Sequence, residues 1–167
     1  MKWRYLLAIM SIFPFAASAQ VPKAAGSQAP EVTAPQAELP KEKLVIAGKD
    51  GAQHVFKVEM ALSPNQQAIG EMFRPGVPAD GGMLFDWGFP RESQMWMRNT
   101  LVPLDMVFIN PDGTIRSIAE ETTPRSLAVI DSRGPVRATL ELAAGTTAAM
   151  DIRVGDTVKQ RIFGNAP

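Results

Sequence analysis

Residues 82–87 are Gly-Met-Leu-Phe-Asp-Trp, and residues 95–105 are Met-Trp-Met-Arg-Asn-Thr-Leu-Val-Pro-Leu-Asp. Both segments combine large apolar side chains with a few polar ones. An ordinary core strand would not carry the polar triplet at residues 98–100, and an ordinary loop would not carry so many aromatic residues and methionines. These two segments are therefore where the sequence indicates strands that border a polar cluster.

Beyond these segments, residues 43–163 carry mostly strand signals. Apolar and charged residues alternate from Gln53 to Met60, which predicts a strand with one buried face. Asp-Gly pairs at residues 50–51 and 112–113 predict two hairpins. A helix is expected to begin at Pro64, because Ser63 and Gln66 can form a capping box, and its apolar stripe extends to Phe73. Further strands are predicted at residues 83–86, 94–98, 105–109, 114–119, 135–142 and 157–163.

The order of these elements indicates the fold class. Many short strands, one helix and no regular alternation of strand with helix predict a mainly β fold, a compact antiparallel β-sandwich or partly open barrel with one short α-helix. Residues 143–152 are compatible with either a short helix or a loop. The single domain is predicted to span residues 43–165, about 120 residues, which is close to the commonest domain size.

The first nineteen residues are predicted to be a signal peptide. Lys2 and Arg4 supply a positive start, Tyr5 to Phe15 is apolar, and residues 17–19 form a small-x-small cleavage site. The apolar run is much shorter than the roughly 20 residues that span a bilayer. We therefore expect a periplasmic or secreted protein that begins at Gln20 and has no membrane span after cleavage. Residues 20–42, rich in proline and alanine, are predicted to be a disordered linker.

Charge and composition argue against several classes of partner. Removal of the signal peptide would leave 15 basic and 17 acidic residues, a net charge of −2. Nucleic acids and anionic membranes favour dense basic patches, so neither is expected as the main partner. The chain has no cysteine and one histidine, which predicts no disulfide, no lipid anchor on cysteine and no zinc or iron site. No cofactor is expected.

Several segments together resemble the family called domain of unknown function 192, DUF192. The resemblance covers roughly residues 44–162, and the Trp-Met-x-Asn-Thr and Pro-Leu-Asp motifs are its specific part. It implies a compact β-sandwich-like domain, commonly exported in bacteria, and it implies no catalytic residue or ligand. The chain departs from the pattern at Met95, where an aromatic residue is common, and at Glu71, where leucine is common. The other matching segments are residues 72–74, 82–85, 123–124, 140–145 and 155–158.

The polar cluster beside these motifs is the candidate ligand-binding site. In one interpretation, Trp96 stacks on a ligand in a shallow groove and Arg98 binds a carboxylate or a sugar hydroxyl. In the other, the polar side chains only hydrogen-bond the irregular backbone of a bend, as Asn, Thr and Asp commonly do. Arg98 and Asp105 flank the bend and could form a charge-assisted pair. The candidate residues are Trp96, Arg98, Asn99, Thr100 and Asp105.

A hydrolase acting on the cell envelope is the first alternative function. Asp105 with Glu141 could supply paired carboxylates, as could Glu120 with Glu121. Against this, residues 120–121 resemble a solvated charge pair, and Glu141 lies between two leucines and is expected to face solvent. No Gly-x-Ser-x-Gly motif is present, so no nucleophile elbow is predicted.

Binding of Cu(I) or Ag(I) is the second alternative. Met95 and Met97 place two thioethers on one strand face, and His54 could add a nitrogen ligand. Methionine is also an ordinary core residue, so this signal is weak. The preferred interpretation is a non-catalytic ligand-binding or accessory module for an unknown small molecule or envelope component. The sequence does not indicate an oligomeric state.

Overall fold

The computed structural model describes residues 32–166, so the predicted signal peptide and the linker up to residue 31 lie outside the described residues. The described chain forms seven strands, two short helices and a terminal 3₁₀ turn at Arg161–Phe163. The mainly β fold expected from the sequence is confirmed. The strands are β1 (Lys41–Ala47), β2 (Gln53–Ala61), β3 (Gly81–Met95), β4 (Leu104–Ile109), β5 (Ile115–Ala119), β6 (Ile130–Ala143) and β7 (Thr157–Lys159), and the helices are α1 (Pro64–Ile69) and α2 (Thr146–Ala149).

The seven strands form one curved sheet with the order β5-β4-β6-β3-β2-β1-β7. The sheet curls into a half-barrel. Its two edges touch at one point, where Ile115 N–H donates to the Asp156 carbonyl at 2.8 Å and Val158 N–H donates to the Gly113 carbonyl at 2.8 Å. All pairs are antiparallel except β2 with β3. The sheet is therefore mixed, where the sequence predicted an antiparallel one, because the connection through α1 is long enough to return the chain in a parallel direction.

Helix α1 begins as predicted and ends earlier. Ser63 caps it, and the Ser63 and Gln66 side chains form the reciprocal capping box. The helix stops at Ile69 because Gly70 adopts φ 51° and ψ −133°, a conformation that favours glycine. Residues 72–73 therefore lie outside the helix. The second helix, α2, lies in the segment that the sequence had left open between helix and loop.

Strand β3 joins two segments that the sequence predicted as separate strands. Its pairing with β6 shifts register between Asp86 and Arg91 and again between Glu92 and Gln94. Such bulges bend a strand and change the direction in which its side chains point. The strand ends at Met95, so residues 96–98, which were predicted to be part of a strand, lie outside it. At its other end Gly82 packs so closely on β6 that a Cβ there would overlap the Glu141 carbonyl.

Apolar residues cover both faces of the sheet. The inner face holds the main core, which includes Phe56, Leu84 and Leu140. The outer face holds two smaller clusters, one around Met106 and Phe108 and one around Met83 and Phe85. Both faces of the sheet are therefore covered, whereas the alternation of apolar and polar residues along a strand predicts only one buried face.

The N-terminal boundary of the folded domain also lies earlier than predicted. Strand β1 begins at Lys41, inside the segment predicted as linker. The Gln36 side chain donates to the carbonyls of Gln66 at 3.2 Å and Gly70 at 3.0 Å. Leu39 N–H donates to the Glu59 carboxylate at 2.7 Å. The end of the predicted linker thus packs across α1 and β2. Within residues 32–166, no helix has the length and apolar character needed to cross a bilayer.

Candidate functional site

Asp105 lies inside the fold and not on the candidate binding surface. Its side chain has no solvent exposure. Its carboxylate accepts hydrogen bonds from Glu121 N–H at 2.9 Å and Gly145 N–H at 3.2 Å. It also accepts from both the N–H and the hydroxyl of Thr147, at 2.9 and 2.8 Å. Asp105 therefore ties together the loop after β5 and the start of α2, and Arg98 is not among its hydrogen-bond donors.

Asn99 and Thr100 bond to the backbone of the bend. Asn99 adopts φ 57°, and its carbonyl accepts from Phe73 N–H at 2.9 Å. Thr100 is buried and accepts at its carbonyl from Arg125 N–H at 3.1 Å. These are main-chain contacts; of the two side chains, the Thr100 hydroxyl donates to the Arg98 carbonyl of the bend at 3.4 Å, whereas the Asn99 amide donates to the Met72 sulfur at 3.9 Å. Of the five candidate residues, Trp96 and Thr100 line the cleft described next, and the other three do not line it.

A cleft of about 360 Å³ lies between α1, β3 and β6, and we call it the aromatic cleft. Its volume is at the lower end of the range for ligand pockets, about 300–1,000 Å³. The residues on which the site depends come from three distant parts of the sequence. They are Glu71, Phe85, Trp87, Arg91, Met95, Trp96, Thr100 and Glu141.

The Trp87 ring is fixed on one wall of the aromatic cleft. Its indole N–H donates to the Thr139 hydroxyl at 3.2 Å. The Arg91 guanidinium lies 4.4 Å from the ring centroid, within the range of a cation–π contact. The Phe85 ring packs at a centroid distance of 5.7 Å. Trp87 is therefore held in one orientation before any ligand arrives.

Trp96 supplies a second aromatic surface that remains accessible. Its side chain is 48% exposed although it follows directly on β3. The chain is held there by a hydrogen bond from Met97 N–H to the Ser126 carbonyl at 3.0 Å. The Arg98 guanidinium lies 5.7 Å from the Trp96 ring centroid, so these two residues share a surface. Arg98 is exposed and stands outside the cleft.

The aromatic cleft also contains two buried carboxyl groups, Glu71 and Glu141. Each residue is 4% exposed. The prediction that Glu141 faces solvent is wrong, because its neighbours on the same sheet face, Met83 and Met106, are themselves covered. Among the described residues, the Oε2 atoms of Glu71 and Glu141 have no hydrogen-bond partner. Buried oxygens of this kind are uncommon and point to a missing partner.

Burial favours the neutral form of both groups. It raises the pKa of Glu71 to about 7, against the opposing effect of the nearby Arg74. Burial also raises the pKa of Glu141 well above its ordinary value, and the negative charge of Glu71 adds to this effect. The two carboxyl groups are therefore close enough to influence each other, and they hold protons near neutral pH.

Arg74 connects Glu71 to a third acid. Its guanidinium donates to both oxygens of Glu59, at 2.6 and 2.9 Å, which is the bidentate arrangement typical of strong Arg–carboxylate pairs. Its Nε lies 3.3 Å from Glu71 Oε2, a contact without hydrogen-bond alignment. Burial would raise the pKa of Glu59, but the hydrogen bonds from Arg74 and Leu39 outweigh it and hold that pKa below its ordinary value. Arg74 therefore compensates the charge of Glu59 more fully than it would that of Glu71.

The raised pKa of Glu71 predicts a measurable pH dependence of stability. Between pH 4.5 and about 7 the folded protein binds more protons at Glu71 than the unfolded chain, so the free energy of unfolding falls as pH rises through this window. The full effect amounts to about 3 kcal/mol. We expect Glu71→Gln to remove the contribution of Glu71, leaving a smaller slope from Glu141, whose pKa is also raised, and to be about 2 kcal/mol more stable than the parent at pH 8. Urea unfolding at pH 5, 6.5 and 8 measures it, with the exposed Glu92→Gln as control. Equal slopes in the parent and Glu71→Gln would contradict it.

The methionines of the copper alternative lie in an apolar cluster. Met97 is fully buried, and its sulfur accepts from the Thr122 hydroxyl at 3.1 Å. Met95 is half-buried against the same cluster, which contains Met106 and Phe108. Over residues 32–166, no three His, Cys, Asp or Glu side chains come together as a metal-binding group. Binding of Cu(I) or Ag(I) by Met95 and Met97 stays a prediction.

The carboxylate pair of the hydrolase alternative is not assembled. Asp105 pairs with Leu142 across β4 and β6, whereas Glu141 pairs with Met106. Neighbouring positions along a strand point to opposite faces, so Asp105 and Glu141 project from opposite sides of the sheet. The carboxyl groups that do share a cleft are Glu71 and Glu141, and sequence reasoning missed this pair. The available signal was Glu71 itself, a lone acid between the apolar residues Ile69 and Met72.

These features define the protein as a small half-barrel β domain with a lateral aromatic cleft. A family model described as DUF192, "Uncharacterized ACR", matches residues 45–160. The chain belongs to the DUF192 family, as its motifs predicted. No curated protein matches the chain.

Two crystal structures are similar over most of the chain. A Sinorhizobium meliloti 1021 protein, described as a candidate transcription regulator, is 43% identical with a TM-score of 0.74 and covers 76% of this chain and 98% of its own. A Novosphingobium aromaticivorans DSM 12444 protein of unknown function is 34% identical with a TM-score of 0.72 and covers 85% of this chain and 100% of its own. These similarities support the family and the fold, and neither assigns an activity.

Proposed function

We propose that this protein is an exported, non-catalytic binding module whose ligand occupies the aromatic cleft. One observation carries the proposal. Trp96, which is 48% exposed, lines the same cleft as the fixed ring of Trp87 and two buried carboxyl groups. Ligand pockets typically combine apolar and aromatic walls with a few polar groups that fix orientation. The aromatic cleft has this composition. The Asp105 carboxylate, by contrast, already accepts hydrogen bonds from Glu121, Gly145 and Thr147.

The location of the proposed site differs from the surface that the sequence indicated. Trp96 and Thr100 remain part of it, and Arg98 lies beside it on the outer face of Trp96. Asn99 bonds to Phe73 through its carbonyl, and Asp105 is buried and bonds to Glu121, Gly145 and Thr147, away from the aromatic cleft. Arg91 and Arg98 place guanidinium donors near the opening, which can hydrogen-bond the oxygen atoms of a ligand there and disfavour a cation.

Export is part of the proposal and rests on the first nineteen residues. The positive start, the apolar run and the Ala17-Ser18-Ala19 site are typical of a cleaved signal peptide. We expect the mature protein to begin at Gln20 and to be released with the periplasmic fraction. Mass spectrometry of the purified protein tests this directly, and an intact N-terminus in the cytoplasmic fraction would contradict it.

A thermal-shift panel tests ligand binding. The panel contains envelope glycans, peptidoglycan fragments, small carboxylates and Ag(I). A ligand at a hundred times its Kd stabilises a protein by about 2.7 kcal/mol, a shift of several degrees for a domain of this size. We expect such a shift with at least one compound and its loss in Trp96→Ala.

Phe89→Ala is the matched control for Trp96→Ala. Phe89 is an exposed aromatic residue on β3, the strand that Trp96 follows; it is 64% exposed and does not line the aromatic cleft. Its removal should leave the shift unchanged. A shift that survives in Trp96→Ala, or the absence of any shift across the panel, would contradict a binding site in this cleft.

A further inference from the structure

The inner end of the aromatic cleft carries hydrogen-bonding groups that the fold itself does not use. Glu71 and Glu141 are both 96% buried, and each keeps one oxygen without a hydrogen-bond partner among the described residues. A buried polar atom without a partner destabilises the fold, and a bound group that supplies the partner would remove that cost. Both residues line the aromatic cleft, so their carboxyl groups are within reach of a ligand that brings the matching groups.

We propose that Glu71 and Glu141 bind the hydroxyl groups of a neutral sugar whose ring lies against Trp96. This inference rests on the proposed function and names the ligand class of the same cleft. A neutral carboxyl group has an O–H that donates and a carbonyl oxygen that accepts. A hydroxyl group also both donates and accepts, so the two are complementary without any charge on either side.

The charges around Glu71 argue for a neutral ligand over a cation. Arg74 is held by Glu59 in a bidentate pair and also lies 3.3 Å from Glu71. Arg91, on the cleft wall, and Arg98, beside Trp96, would repel a cation on its way in. In the part of the chain that the structure describes, no third His, Cys, Asp or Glu joins the pair to form a metal site. The raised pKa values keep Glu71 protonated below about pH 7 and favour the protonated form of Glu141, as a hydroxyl ligand requires.

The walls of the cleft fit the other part of a sugar. The C–H groups on one face of a pyranose are weakly positive, and the face of an indole ring is weakly negative. Trp87 is held in place by the Thr139 hydroxyl and Arg91, so that it forms a rigid apolar wall. The volume of about 360 Å³ suits one or two sugar rings.

The proposal predicts an affinity that depends on pH through Glu71. Ionisation of Glu71 removes its O–H donor, so binding should weaken as pH rises above about 7. Other acidic and basic side chains lie on the elements that pack around Glu71. They are Glu141 on β6, Glu59 and Lys57 on β2, Arg91 on β3, Arg74 and Asp80 in the segment after α1, Lys41 on β1 and Glu38 before it.

Isothermal titration with cellotetraose, maltotetraose and chitotetraose tests the proposal on the purified protein. We expect at least one of them to bind at pH 5.5 and to bind about 10-fold more weakly at pH 8.5. Glu71→Leu and Glu141→Leu should each lose about 10-fold or more at pH 5.5, since leucine removes both the donor and the acceptor. Glu71→Gln keeps a donor and an acceptor and cannot ionise, so it should bind with nearly the same affinity at both values of pH.

Glu92→Gln is the control for charge. Glu92 is exposed on β3 and does not line the cleft, so this variant should behave as the parent at both values of pH. Melting curves of each variant show whether it is folded. If Glu71→Leu is unfolded, the loss of pH dependence in Glu71→Gln decides the question.

Two results would overturn the proposal. One is that none of the three saccharides binds at concentrations up to about 10 mM. Specific recognition requires a Kd below this concentration. The other is that a saccharide binds Glu71→Leu and Glu141→Leu as tightly as the parent. If Trp96→Ala still abolishes that binding, the sugar contacts proposed here fail while the binding function stands. If Trp96→Ala has no effect either, both fail.

Discussion

Replacing Asp105 by alanine is expected to lower the free energy of unfolding by about 4 kcal/mol. The variant leaves the N–H groups of Glu121, Gly145 and Thr147 without their acceptor inside the protein. Hydrogen bonds to a charged group contribute about 1.5–3 kcal/mol each, and they are not fully additive. Urea unfolding at pH 7 measures the effect.

The Asp105 experiment includes two comparisons. Asp105→Asn keeps one acceptor oxygen and should lose about half as much stability as the alanine variant. Arg98→Ala should change stability by about 0.5 kcal/mol, since this side chain is exposed and only stacks on Trp96. A large and equal loss in Asp105→Ala and Arg98→Ala would instead mean that the two residues support each other.

Replacing Arg74 by methionine is expected to cost about 3–5 kcal/mol at pH 7, the second large effect. The guanidinium is mostly buried and pairs with Glu59 and Glu71, whose side chains are also buried. Methionine fills similar space but leaves the Glu59 carboxylate buried without its main donor. The pKa of Glu59, now held below its ordinary value by Arg74, should then rise above it. Thermal and urea unfolding measure the loss.

A second substitution separates the ion pair from simple packing. In the double variant Arg74→Met with Glu59→Gln, the buried charge is absent, so part of the lost stability should return. The loss in Arg74→Met alone should also shrink as pH is lowered towards 5, because the unpaired Glu59 becomes protonated there. A loss that is unchanged by pH and by Glu59→Gln would show that Arg74 contributes through packing of its aliphatic part instead.

The parts of the fold that could be predicted are those set by neighbouring residues. The Ser63 cap, the hairpin turn at residues 110–113 and the start of β2 depend on hydrogen bonds or alternation within a few positions. The family motifs likewise identified the chain from short segments. The candidate site could be predicted only in part. Trp96 was identified because an aromatic residue beside a polar bend is conspicuous in the sequence.

The rest depends on contacts between distant segments. Glu141 is expected to be exposed if β6 has one covered face, and it is buried because residues near 70–73 and 97–104 cover the second face. Glu71 follows a glycine whose backbone conformation ends α1 and turns the chain towards the cleft. Neither effect leaves a periodic pattern in the sequence. The bulges in β3 likewise leave no periodic pattern in the sequence, because they depend on how β3 pairs with β6.

The pairing of the first strand with the last one bears on how this protein folds. Val45 on β1 lies opposite Lys159 on β7, so this pairing can form only after residue 159 has been synthesised, more than 100 residues after its partner. Contacts between residues far apart in the chain slow folding, and β proteins rich in them fold in milliseconds to seconds. The newly made polypeptide therefore spends longer in an open state, which is the state that secretion through a narrow channel requires. The slow folding expected of this strand order would then suit the proposed export.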